Sequence, residues 1–149
     1  MAHPAPASFL PRAFATALLA VAAHGAFAAD LTVAIENIRD DSGQVRVGVF
    51  DSAAAFPKHA VQGKSVPASE RDSSGIVRIR FAGLPAGTYA VSAIHDRDAN
   101  GKLTTNLVGM PTEPYGFSRQ GRAMFGPPAF EEAAFSLPAE GAAVSIGTK

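Results

Sequence analysis

There is no cysteine among the 149 residues. That excludes a disulfide framework, a thiol nucleophile and a lipid-modified cysteine behind any leader. Charge of one sign is also lacking. The 13 basic residues face 13 acidic ones and form no cluster, which argues against nucleic acid or an anionic membrane surface as partner. Beyond residue 28 no segment is apolar for long enough to cross a bilayer, so no membrane insertion is expected. No long helical period occurs either. Stability must therefore come from a packed β core, alone or with a bound ion.

What is present begins with a leader. Arg12 precedes an apolar run, Ala13 to Ala23, and Ala26-Phe27-Ala28 follows as a small-x-small cleavage site. This order reads as a secretory signal peptide over residues 1–28. It leaves residues 29–149 as a single domain, long enough to bury a core of its own. Arg12 is the only charged residue of the leader, so the mature chain carries a net charge of −1 with histidine neutral. The expected location is the periplasm or the medium outside the cell.

Period-two alternation dominates the rest. Leu31, Val33 and Ile35 form one set, Val45, Val47 and Val49 a second, and Val77, Ile79 and Phe81 a third. Tyr89, Val91 and Ala93 share a face, with His95 following on it, and Ala133, Phe135 and Leu137 then Val144 and Ile146 complete the pattern. Each set predicts a strand with one buried face. Val47, Val49, Phe81, Tyr89, Val91 and Phe135 are expected in the core, with Arg46, Arg78 and Arg80 outward. Asp40-Asp41-Ser42-Gly43 signals a hairpin, and Pro85-Ala86-Gly87 a turn. The expected fold is all-β: an antiparallel β-sandwich of about seven strands. Two connections are long. Asp51 to Ser74 either covers the sandwich or carries a short edge strand. Leu107 to Pro128 is rich in Gly, Pro and aromatics, and Met110, Tyr115, Phe117, Met124 and Phe125 predict a packed loop.

The segment from His95 to Asn106, HDRDANGKLTTN, carries the most chemistry. Asp96, Asp98 and Asn100 alternate and Gly101 follows, which is how a calcium loop begins, and Lys102 would add its backbone carbonyl. Leu107 stands where an EF-hand places a bidentate glutamate, so Glu113 or Asn106 would have to complete the shell. The competing reading is an Asx-rich turn whose side chains accept backbone amides. His95 is read as an anchor for a neighbouring loop, because its spacing from His59 matches no metal motif. Gly116-Phe117-Ser118-Arg119-Gln120 is half of a nucleophile elbow, with Gln120 in the place of the second glycine. Tyr115 and Phe117, with Glu113, are the candidate ligand contacts, an aromatic platform beside polar groups.

The run His95-Asp96, Asp98, Asn100-Gly101-Lys102-Leu103 and Asn106, followed by Gly109-Met110-Pro111, Glu113 and Tyr115-Gly116-Phe117-Ser118, resembles the signature of a family of exported bacterial proteins described only as a domain of unknown function. Leu84 to Val91 resembles it too. The resemblance implies export and a sandwich related to immunoglobulin-like or transthyretin-like domains, and no reaction. Thr104 stands where that family usually has aspartate, Pro114 where glycine is common, and Arg119-Gln120 where an asparagine pair is usual. The first difference removes one charged oxygen from any ion site. The resulting expectation is an exported, non-enzymatic binding or accessory module, with a small molecule, a glycan or a protein as partner and calcium as a candidate stabiliser. The alternative is a small periplasmic hydrolase that uses Asp96 and Glu113.

Overall fold

The computed structural model describes residues 28–121 and 126–149. All but the last residue of the expected leader lies outside them, as do Met124 and Phe125. The described chain forms eight strands: β1 (Ala28–Glu36), β2 (Gln44–Phe50), β3 (Gln62–Pro67), β4 (Val77–Pro85), β5 (Gly87–Asp96), β6 (Tyr115–Phe117), β7 (Phe135–Leu137) and β8 (Ala142–Gly147). One helical turn, α1 (Phe130–Ala133), precedes β7. Sheet A has the order β4-β1-β8; sheet B has the order β3-β2-β5-β6, with β7 also on β5. β6 and β7 share the edge of β5 that β2 leaves free, at Ser92–Ile94 and at Gly87–Tyr89. All named pairings are antiparallel except β1 with β8, which run parallel from Leu31 beside Ala142 to Glu36 beside Gly147.

The alternation works as physical chemistry demands. Leu31, Val33, Ile35, Val45, Val49, Phe81 and Val91 are all buried between the sheets, while Arg78 and Arg80 are exposed. Phe135 is only partly buried; it packs against this core from the same face of β7 as the buried Leu137, and Ala133 belongs to α1. The Asp51–Ser74 connection does carry an edge strand, β3. Its side chains also close the gap to sheet A. Gln62 donates to the Ala82 carbonyl at 3.4 Å, and the Lys64 ammonium meets the Arg80 carbonyl and lies 5.4 Å from the Phe81 ring centroid.

On the opposite side the sheets are joined by backbone. Tyr115 and Lys149 exchange N–H···O bonds of 3.3 and 3.2 Å, so the chain just past β8 pairs with the start of β6. Only glycine fits between them. A Cβ on Gly116 would stand 2.6 Å from the Gly147 carbonyl oxygen and 2.7 Å from Ile146 Cγ2. Gly116→Ala should therefore destabilise the fold by about 1–3 kcal/mol, as overpacking does. Chemical denaturation checks this, and an unchanged midpoint would mean that β6 and β8 can separate at no cost.

The two outer faces differ. Sheet A shows polar residues to water, including Arg80, which is paired with Asp30. Sheet B carries a second, smaller core on its outer face, where Ala90, Phe117 and Ala133 are buried and Phe56, Tyr115 and Phe130 pack on them. Phe56 meets Phe50, Phe117 and Phe130 edge-on at 5.2, 5.6 and 6.0 Å, the geometry that aromatic quadrupoles favour. This covering places the Gly/Pro/aromatic connection on sheet B.

Candidate functional site

The chain leaves β5 at Asp96, and the segment that follows is built by side chains standing in for backbone. Asp96 Oδ1 accepts the Asn100 amide at 3.0 Å; Oδ2 accepts the Gly101 amide at 2.9 Å and the Gln44 side-chain amide at 3.1 Å. Asp98 Oδ1 accepts the Asn100 amide at 3.1 Å, and Asn100 Oδ1 accepts the Lys102 amide at 2.9 Å. These are Asx turns in series. Gly101, at φ +86°, makes the reversal that the tight turn needs. The Asn100 side-chain nitrogen Nδ2 donates to both Asp98 Oδ2 and Thr104 Oγ1 at 2.8 Å. The Thr104 hydroxyl therefore sits beside Asp98, at the position where an aspartate would add charge.

Glu113 returns from the far end of the loop to lock it. Its Oε1 accepts the Arg97 amide at 2.8 Å and its Oε2 the Thr104 amide at 2.9 Å. One carboxylate thereby ties the start of the turn to its end. Asp96, Asp98 and Glu113 each offer an oxygen within 4.8 Å of the others, so Asp96 and Glu113 lie at the same end of the sandwich, as the short separation predicts. Asp96 is fully buried. Burial raises its pKa, but the Gly101 amide, the Gln44 side chain and the Asn100 amide outweigh it and hold the carboxyl below the usual range.

His95 lies on the core side of β5 and is buried. Its Nε2 is 2.9 Å from the Ser42 carbonyl oxygen, so this nitrogen carries the N–H that donates to it. The ring thus anchors the Asp40–Gly43 hairpin onto the end of β5. Gly43 fits because its φ is +63° and because a Cβ there would lie 2.0 Å from the Asp96 carbonyl oxygen. Ser118, the would-be nucleophile of the half elbow, is buried. Its hydroxyl donates to the Ala133 carbonyl at 2.6 Å and accepts the Val91 amide at 2.9 Å, so it stitches β5 to α1.

Beyond Leu103 the chain forms a short arm that reverses on Asn106. Asn106 Oδ1 accepts the Val108 and Met110 amides at 3.1 and 3.0 Å, and Thr105 bridges to Pro111. Asn106 takes the amides, and the side chains of the tip stay largely exposed. Leu107 is 106%, Val108 80% and Met110 56% exposed, unusual for three neighbouring apolar residues. The arm overhangs the outer face of β5 and β6 and encloses a cleft of about 530 Å³. Ile94, Tyr115 and Phe117 form its floor, with Leu103, Val108 and Met110 on the arm side. Tyr115 and Phe117 stand edge-on at 6.0 Å; Tyr115 is half-buried, whereas Phe117 is buried except for its share of the floor.

The structure thus separates the residues singled out in the sequence into two neighbouring groups. Asp96, Asp98, Asn100, Lys102 and Glu113 belong to the turn. Tyr115 and Phe117 belong to the cleft, where Glu113 does not reach. Ile94, Leu103 and Val108 were missed by the sequence reading, and Met110, expected to pack within its loop, instead stands 56% exposed at the arm's tip because Asn106 turns that tip outward. The available signal was Asn106, an Asx residue followed by two apolar residues and a glycine, which throws its tip outward. No curated protein and no solved structure matches the chain. A family model matches residues 33–145, the whole of the site included, and is described as "Uncharacterized protein conserved in bacteria (DUF2141)". Matched over most of its length, with the clamped turn and the overhanging arm inside the matched span, the chain belongs to that bacterial family.

Proposed function

We propose that the protein is an exported, non-enzymatic binding module that seats its ligand in the cleft under the Leu103–Pro111 arm, with the acidic turn as the rigid frame of that arm. The observation that carries this reading is the exposure of Val108 and Met110 on the rim of a cleft of about 530 Å³. That size lies within the range of small-molecule sites, and apolar walls with few polar groups are what such sites share. Export rests on the order of features in residues 1–28. Among the described residues no helix is long and apolar enough to cross a membrane.

The hydrolase alternative finds little support in the carboxylates. Every oxygen of Asp96 and Glu113 already accepts a backbone or side-chain N–H, and the depressed pKa of Asp96 makes it a weak base. Calcium has one observation in its favour, the approach of Asp96, Asp98 and Glu113 oxygens to within 4.8 Å. Against it, the hydrogen bonds satisfy the same oxygens, and Arg46 Nε already lies 4.0 Å from Asp96 Oδ2. The expected result is one melting temperature in millimolar calcium and in chelator. An ion held at about a hundred times its Kd would instead add about 2.7 kcal/mol, and a rise abolished by Asp98→Ala would establish the site.

The binding reading is tested on the protein expressed with its leader in a Gram-negative host. It should fractionate with the periplasm with Ala29 as its first residue. Native mass spectrometry should show a co-purifying small molecule that Ile94→Glu removes. Material retained in the cytoplasm, or a bound molecule indifferent to Ile94→Glu, would overturn the respective half of the proposal.

A further inference from the structure

The chemistry of the cleft lining narrows the ligand class, and this step rests on the binding reading above. Among the described residues, every one that lines the cleft is uncharged. A bound ion would be stripped of water there with no opposite charge among those residues to meet it. The acidic turn does not change this, because Asp96 and Glu113 face the backbone amides of their own loop. Nor is the lining wholly apolar. Ser92 lies on the floor of the cleft, paired with Phe117 across the β5–β6 ladder, and Thr105 lies on the arm side. Neither hydroxyl hydrogen-bonds to another described residue, whereas Thr104 and Thr112 nearby are both engaged. Two hydroxyl residues, each able to donate and accept, thus line a mostly apolar cleft. Met110, unbranched and half out in solvent, can adapt its shape to the occupant.

We infer that the cleft takes a neutral, largely apolar small molecule that carries a hydroxyl or carbonyl group, with its apolar body on Ile94, Tyr115 and Met110 and its oxygen at Ser92 and Thr105. Anionic amphiphiles of the same shape are rejected by desolvation.

The test uses two fluorophores with one skeleton, uncharged N-phenyl-1-naphthylamine and its sulfonated relative 8-anilino-1-naphthalenesulfonate. The mature protein should bind the uncharged dye saturably and at least tenfold more tightly than the sulfonate. Ile94→Glu and Met110→Glu should each weaken the uncharged dye at least tenfold, and Val61→Glu, a change at an exposed apolar residue away from the cleft, should not. Circular dichroism confirms that the variants are folded. 1-Dodecanol should displace the dye, and the double change Ser92→Ala/Thr105→Val should weaken that displacement several-fold. Equal binding of both dyes, lost in the cleft variants, would overturn the neutral class and leave the cleft as the site. Binding insensitive to Ile94→Glu and Met110→Glu would overturn both. Unchanged dodecanol displacement in the double variant would remove the hydroxyls from the proposal. A dimer in sedimentation that excludes the dye would assign the cleft to a second copy instead.

Discussion

Phe81→Ala should lower the unfolding free energy by about 3–5 kcal/mol, the range for removing a fully buried phenylalanine. Phe81 is the largest of the fully buried side chains, on the inner face of β4 opposite Leu31 of β1. Both sheets lose contact when its ring is removed, because Lys64 of β3 reaches across to the same ring. The surrounding strands are fixed by their ladders, so the void would close only partly. For a domain of this size the loss corresponds to a fall in melting temperature of about 10–20 °C. A thermal melt by circular dichroism reads it directly. A variant that melts with the parent would show that β4 packs with its other face inward.

Asp96→Ala should be nearly as costly, at about 3 kcal/mol. It leaves the Asn100 and Gly101 amides and the Gln44 side chain without their acceptor, and each hydrogen bond to a charged group is worth about 1.5–3 kcal/mol when part of its loss is not made good by water. The charge itself has a pH signature. The folded-state pKa of Asp96 lies below its ordinary value of 3.8, so the unfolded chain binds the proton more readily. The stabilisation is then complete above the unfolded pKa and is lost as pH falls from about 4 through the depressed folded value. Asp96→Asn should make that acid limb shallower, leaving the share of Asp40 and Asp72, whose carboxyls hydrogen bonds also hold below the usual range, and leave the slope between pH 5 and 7 untouched. Denaturant titrations at a series of pH values decide it. An acid limb as steep in Asp96→Asn as in the parent would place the responsible carboxylate elsewhere.

Much of the frame was legible because period two is a direct readout of which face is buried. Leu31 to Ile35, Val45 to Val49 and Val77 to Phe81 follow it, and so does His95, whose side chain lies on the inner face one step beyond Ala93. The Asx turn was legible for the same local reason, since Asp96, Asp98 and Asn100 bind amides a few residues away. What was hidden depends on distant partners. Tyr115-Gly116-Phe117 is too short to show alternation, and it becomes a strand only because β5 and Lys149 offer it edges. Ala90 and Phe50 sit on the face that alternation marks as outward, yet Phe56, Phe117 and Phe130 fold over them. The cleft is a product of that covering and of the arm, so its floor could be read from neither strand alone.

The parallel contact between β1 and β8 also sets an order of events. β1 is the middle strand of sheet A, flanked by β4 on one side and by β8, the last strand described, on the other. Sheet A is therefore incomplete until almost the whole chain is available, and the join between Tyr115 and Lys149 waits for the same moment. Contacts of such sequence separation slow folding, as in other β-sandwiches that fold in milliseconds to seconds. β1 can zip onto β4 as soon as Pro85 is available, but its other edge stays open until β8 arrives. A chain cut short before Ala142 would keep that edge of β1 unpaired, a ready template for another strand.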